Sequence, residues 1–439
     1  MTNIFRTAAV FAALLLAAAQ CLPPAQAITP PPIDNSLLPP PVPPAPPEPT
    51  EQRQACTVPP LITGSGVSAT QLGSVDMTAL WRLTRGAGQR VAVIDTGIAA
   101  HRRLSGVVAG GDYVSSGDGR QDCDGHGTVV AGIIAAVPDP MDATAFTGIA
   151  PEATLIAIRQ SSNKFGPLAR PAEHGFGDVN TLAMAVRTAA DMGSSVINIS
   201  SVACAEAVLD DRTLGAALSY AVDVKDAVVV VAAGNVGGDG QCPSQNTTAQ
   251  PTAIASPAWY DDYVLTVASV SSHGTPSGFS LHGPWVDVAA PGENVVSLDP
   301  DGEGVIDAMP TPSGQASMSG TSYAAPVVAG MVALVRSRFP RLSARQVMTR
   351  VETTAHHPAE GWNAIIGNGI VDPVAALSDQ ISGPPQPAPR PSTTPPASNQ
   401  RDPTKRYAVV GTAAALCLTG LATAASARLR RRNEDVPSD

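Results

Sequence analysis

The sequence predicts a three-layer α/β protein: a mostly parallel central sheet with helices on both faces, plus one C-terminal transmembrane helix. Three observations lead there. Apolar runs at 90–95, 195–200 and 227–233 are too continuous for strands with one wet face and suit parallel strands buried on both sides. Stretches of helical length at 127–136, 179–192 and 214–224 alternate with them. The chain has 439 residues, 44% of them hydrophobic, enough to bury one large core.

From the N-terminus, residues 1–27 read as a secretory signal. Arg6 supplies the positive n-region, 7–19 the apolar stretch, and Ala25-Gln26-Ala27 the cleavage site, so the mature chain begins at Ile28. Cys21 raises a lipoprotein alternative, but Gln20 before it is a poor fit to the small residue expected there. Residues 28–75 form a proline-rich extension, nearly all Pro and Ala over 39–49, which lacks the periodicity to fold alone. Residues 76–381 hold the globular domain. Within it, 263–270 and 284–290 are two further expected strands. The last helices are expected at 322–339, through Val327, Met331, Leu334 and Val335, and at 343–355. Pro326 is expected in the first turn or so of the former, where a missing N–H costs little. The stretch 160–177, with Arg170, Glu173 and His174, is read as a surface insertion, either solvated or a contact for a partner or substrate.

Residues 382–406 are a second proline-rich spacer; its core of about 20 residues, at about 3.1 Å each, extends to roughly 60 Å. Residues 407–427 are uncharged and long enough to cross a bilayer. Arg428, Arg430, Arg431 and Arg432 follow at once and keep the tail, 428–439, in the cytoplasm. Signal and anchor agree on a single-pass protein of the cell membrane with its globular domain outside. A net charge of -10 without a basic stripe argues against nucleic acid as a partner.

Cys21 lies in the signal and Cys417 in the span, which leaves Cys56, Cys123, Cys204 and Cys242 outside the cell. An even count in an exported segment argues for two disulfides, with three possible connectivities. Cys204 and Cys242 each follow the C-terminal end of one of two consecutive strands, which should be sheet neighbours, so they are expected to pair. That leaves Cys56–Cys123, which would pin the extension beside His126. The spacing has no C-x-x-C character, so no metal site is expected, and no cofactor is implied.

Three motifs bear the chemistry: Val93-Ile94-Asp95-Thr96-Gly97, Gly125-His126-Gly127-Thr128 and Gly320-Thr321-Ser322-Tyr323-Ala324-Ala325-Pro326. A serine hydroxyl is a weak nucleophile, so Ser322 needs a base beside it. His126 is the residue type whose ordinary pKa suits that task near neutrality. Asp95 would fix the imidazole tautomer and stabilise the imidazolium. Asn235, in Ala232-Ala233-Gly234-Asn235, together with the Ser322 amide, would supply donors aimed at a developing oxyanion. Ser200, Ser201, Val202 and Gly234 are candidates for the substrate-binding wall. The order Asp, His, Ser, with no Gly-x-Ser-x-Gly elbow before His126, disfavours sugar and lipid hydrolases of the nucleophile-elbow kind.

Asp95, His126, Asn235 and Ser322, with their flanking motifs, resemble the subtilase family. Tyr323 stands where many subtilases have Met. The mature start Ala27-Ile28-Thr29-Pro30-Pro31-Pro32-Ile33-Asp34, the extension with Cys56, and the segment Ser280-Leu281-His282-Gly283-Pro284-Trp285-Val286-Asp287-Val288-Ala289-Ala290-Pro291 are similar to the mycosins. So are the proline-rich linker, the single span and the Arg-rich tail. The resemblance implies a subtilisin-like fold and a membrane-anchored extracytoplasmic serine endopeptidase. It would cleave secreted protein substrates through an acyl-enzyme and associate with membrane components of a type VII secretion complex. It also implies an extension that is retained as a wrap around the catalytic domain. The alternative is a structural subunit of that complex in which proteolysis is dispensable.

Overall fold

Seven strands build the central sheet: β1 (Arg90–Asp95), β2 (Val108–Asp112), β3 (Thr154–Arg159), β4 (Val196–Ile199), β5 (Val228–Ala232), β6 (Leu265–Val270) and β7 (Val288–Pro291). Their order is β7-β6-β5-β4-β1-β3-β2, and every pairing is parallel. β4, β5 and β6 are buried at every position, as strands covered on both faces must be. The computed structural model describes residues 29–379 apart from 63–70, 74, 140–145, 173–174, 207–208, 238–241, 248–250, 303 and 312–313. All of these lie in the unit Met1–Pro391. The signal, the second spacer, the span at 407–427 and the tail fall outside the described residues. Among the described residues, no helix is long and apolar enough to cross a membrane.

Helices α1 (His126–Ala135) and α4 (Thr321–Arg338) pack together on one face of the sheet, and α2 (Val179–Asp191) and α3 (Arg212–Ser219) pack together on the other. α2 begins with a reciprocal cap between Asp178 and Thr181, and α5 (Ala344–Thr353) with one between Ser343 and Gln346. α4 is apolar on all sides because it lies between the sheet and α1, with 14 of its 18 residues buried. Its glycine lets the segment between α1 and β3 approach closely: a Cβ on Gly330 would sit 2.6 Å from Ile149 Cβ.

Several elements differ from expectation, each for a local reason. Two strands, β2 and β3, join the five expected. β2 contains Gly110 and Gly111, which weaken any strand signal, and Pro44 of the extension packs where a Cβ on Gly111 would be. The strand expected at 284–290 starts only at Val288, because 283–286 turn and the Trp285 ring folds over Gly283. α3 stops at Ser219 and the chain continues as a π-helical turn, Tyr220–Val224. Pro326 is the sixth residue of α4, not part of its first turn, so the helix lacks the donor that would pair with the Ser322 carbonyl.

The stretch at 160–177, of which Glu173 and His174 lie outside the described residues, is more than a solvated loop. Its Phe165–Pro167 strand pairs antiparallel with Thr50–Gln52 of the N-terminal extension. Arg170 makes a two-pronged ion pair with Glu48, and the Cys56–Cys123 disulfide fastens the extension again. Further along, the Ile62 amide donates to the Val305 carbonyl. A proline-rich segment with no core of its own is held by backbone pairing and covalent attachment.

Candidate active site

β1 sits where successive connections diverge: β3 lies on one side of it and β4 on the other. In open α/β sheets that point leaves a crevice beyond the carboxyl ends of the strands. Asp95 is the last residue of β1 and is 2% exposed. Its Oδ1 accepts from the Thr96 amide at 2.8 Å and lies 2.7 Å from His126 Nδ1. Its Oδ2 is buried without a hydrogen-bond partner.

His126 is the first residue of α1, behind an N-cap glycine, Gly125, with φ 89°. That left-handed turn favours glycine, and Gly127 is glycine for a separate reason. A Cβ on Gly127 would lie 2.0 Å from the Gly97 carbonyl oxygen. The two loops can therefore press together and bring His126 to Asp95. Burial draws the imidazole pKa down, but Asp95, by charge and hydrogen bond, and then Asp122 and Asp124 outweigh it and hold it above the ordinary value. His126 Nε2 lies 3.0 Å from Ser322 Oγ.

Ser322 is the second residue of α4, behind Gly320. Asn235 follows β5, and its Oδ1 accepts from the amide and the hydroxyl of Thr321, each at 3.0 Å. The amide nitrogen is thereby turned toward Ser322: a Cβ on Gly320 would be 3.3 Å from Asn235 Nδ2 and 3.1 Å from Ser322 Oγ. Only a residue without a side chain leaves that space open. Tyr323 packs its ring 5.1 Å from the His126 ring, with the planes tilted by 37°.

The cleft around these residues is lined by Ser200, Ser201 and Val202 after β4, by Gly234 and Asn235 after β5, and by Cys242. Asp95, His126, Ser200, Ser201, Val202, Gly234, Asn235 and Ser322 therefore share one cleft, while of the four expected disulfide cysteines only Cys242 lines it. Cys204 is bonded to Cys242, and the Cys242 amide donates to the Asn235 carbonyl. Thr57, next to Cys56, also lines the cleft, so the extension reaches its rim. Met309 and Pro310, from a hairpin of Ala308–Thr311 and Gly314–Ser317, form another part of the wall. Among the described residues no cluster suited to a metal ion is present.

Sequence reasoning missed Thr96, Thr321 and Asp122. The first two sit inside the motifs, in Asp-Thr-Gly and Gly-Thr-Ser, but their side chains act only through contacts the fold creates. Asp122 lies four residues before His126, where the sole signal was an acidic residue ahead of a helix start.

Comparison with known families matches residues 86–369 to the Subtilase family, Peptidase_S8. The chain is 55% identical to Mycosin-4 of Mycobacterium tuberculosis (strain ATCC 25618 / H37Rv), over 93% of each chain. Among solved structures it is similar to the MycP3 protease from the type VII (ESX-3) secretion system. There the TM-score is 0.73 at 45% identity, over 80% of this chain and 100% of that one. It is also similar to a chain of an intact ESX-5 inner membrane complex, with TM-score 0.75 and 39% identity over 91% of this chain and 100% of that one.

Proposed function

This chain belongs to the subtilase family, within its mycosin group, and is a serine endopeptidase; from that premise we propose that Asp95, His126 and Ser322 are its catalytic triad and Asn235 its oxyanion donor. The observation on which this rests is the unbroken line from Asp95 Oδ1 through the His126 ring to Ser322 Oγ, at 2.7 Å and 3.0 Å. Ser322 Oγ attacks the scissile carbonyl carbon while its proton passes to His126 Nε2. The carbonyl oxygen becomes an oxyanion facing Asn235 Nδ2 and the Ser322 amide. The tetrahedral species collapses as the imidazolium returns its proton to the leaving amine, which leaves an ester on Ser322. Water, deprotonated by His126, then hydrolyses that ester. Ser200, Ser201, Val202 and Gly234 form the wall on which substrate lies.

The same reading extends to the rest of the chain. The signal and the span at 407–427 anchor the catalytic domain on the extracytoplasmic side of the cell membrane, and the disulfide-linked extension is retained around it. Secreted proteins of a type VII secretion system are the substrates, and membrane components of that system the partners. The likeness to a chain within an ESX-5 inner membrane complex supports this placement. The same association is the basis of a second reading, in which the chain stabilises the complex and cleavage is dispensable.

A fluorophosphonate should label the purified protein at Ser322, and labelling at another serine would overturn the nucleophile assignment. Ser322→Ala in cells separates the two readings. Secretion that survives without cleavage assigns the scaffold role; secretion that collapses assigns the catalytic one.

A further inference from the structure

We propose that Asp122 is a positioning residue for catalysis, whose carboxylate locks the end of the strand bearing Asp95 to the first turn of the helix bearing His126. This rests on the site reading above, in which His126 takes the proton of Ser322. Asp122 Oδ1 accepts from the Thr96 hydroxyl and from the Gly125 amide, each at 2.8 Å. Its Oδ2 accepts from the Thr128 amide at 2.8 Å and the Thr128 hydroxyl at 2.7 Å. Both oxygens are thus engaged twice.

A carboxylate near a helix start needs no more explanation than free N–H groups and the helix dipole. Here that explanation covers Gly125 and Thr128 but leaves out Thr96. Thr96 has one hydroxyl proton, and at 2.8 Å it goes to Asp122, while the 3.3 Å contact with Asp95 is longer. The lone pairs left on that oxygen accept from the Gly127 amide at 2.9 Å. The amide of the same threonine donates to Asp95 Oδ1, the oxygen that faces His126 Nδ1. One carboxylate therefore fixes the residue that aims Asp95 and also the residues on either side of His126. A hydrogen bond between groups on two separate elements is only as constant as the distance between those elements. A misplacement of about 1 Å at such a contact can cost about 10²-fold in rate.

Charge works in the same direction. The groups facing His126 are Asp95 from the end of β1, Asp122 and Asp124 from the segment leading into α1, and Ser322 and Tyr323 from α4. Each of the three carboxylates favours the imidazolium that forms as Ser322 attacks. Asp122 is itself desolvated, which raises its pKa against the pull of its four hydrogen bonds.

The test uses the full-length, detergent-solubilised protein and a peptide substrate. Asp122→Asn keeps the shape, removes the charge and turns an NH₂ group toward two donors. It should lower kcat by about 10- to 100-fold with KM within about threefold. It should also move the acid limb of kcat/KM to lower pH, since His126 loses a favourable charge. Thr128→Ala deletes one bond to the carboxylate but leaves its charge and its link to Thr96. It should lower the melting temperature and leave the acid limb in place. An Asp122→Asn protein with unchanged kcat and acid limb overturns the proposal, and so does a Thr128→Ala protein that reproduces the shift. Should Asp122→Asn not fold, Thr96→Val breaks the same bridge, and an unchanged kcat there is equally decisive. Fluorophosphonate labelling of the wild type runs alongside. If Ser322 is labelled and the variants behave as wild type, this inference alone fails; if Ser322 is not labelled, the site reading fails with it.

Discussion

At Asn235 the side-chain oxygen is held by the amide and hydroxyl of Thr321, which leaves the nitrogen free to face Ser322. In the ground state that nitrogen meets no oxyanion, so its contribution should appear only as the tetrahedral species forms. Asn235→Ala should then reduce kcat by about 10²- to 10³-fold with little change in KM, the usual effect of losing one oxyanion donor. Steady-state kinetics on a peptide substrate check this, and a KM rise with kcat intact would assign Asn235 to substrate binding. A pH series belongs beside it. The base must be neutral to accept the Ser322 proton, and His126 is held above the ordinary value of 6.5. Activity of the wild type should therefore rise with pH through an apparent pKa above that value.

At the scale of elements, the start of α1 and the end of β1 function as one unit. Gly97 has φ 110°, and a Cβ there would lie 2.0 Å from the Gln121 carbonyl oxygen; Gly127 meets Gly97 from the other side at the same distance. Neither obstacle is a flexible side chain, so neither can swing aside. Gly127→Ala should therefore push α1 away from β1 and lengthen the Asp95–His126 contact. We expect a stability loss of about 1–3 kcal/mol, the usual cost of overpacking. The loss of kcat should be larger than that loss of stability explains. Thermal melting together with single-turnover rates separates the two, and a variant that melts early but turns over normally would refute the coupling.

At the scale of the whole molecule, the Cys56–Cys123 bond closes a loop 67 residues apart in sequence, and Cys204–Cys242 one of 38. Cross-links of such span typically contribute about 2–4 kcal/mol each by limiting the unfolded chain. Reduction should lower the melting temperature, and Cys56→Ser should free the extension to be clipped by an added protease while the catalytic domain persists. Non-reducing peptide mapping tests the pairing directly: a peptide joining Cys56 to Cys204 or Cys242 would contradict it. The extension also holds on without its disulfide, through the Thr50–Gln52 pairing and the Glu48–Arg170 ion pair. Clipping of Cys56→Ser should accordingly be slow rather than immediate.

The chemistry was legible in the sequence because the reaction dictates residue types and their immediate neighbours. Asp95, His126, Asn235 and Ser322 each stand in a short motif whose small residues have local causes, and β4 and β5 declare themselves by unbroken apolar runs. β2 was not legible, since an edge strand with two glycines is stabilised by what packs on it. Nor was the role of 160–177, because a three-residue strand such as Phe165–Pro167 exists only where Thr50–Gln52 arrives to pair with it. The placement of Tyr323 against His126, the turn of Asn235 set by Thr321, and the bridge from Asp122 through Thr96 were likewise decided by the tertiary structure. They join residues from 26 to 197 positions apart. Periodicity and local motifs report what a residue does with its chain neighbours; contacts across such separations arise only when the sheet sets its strands side by side.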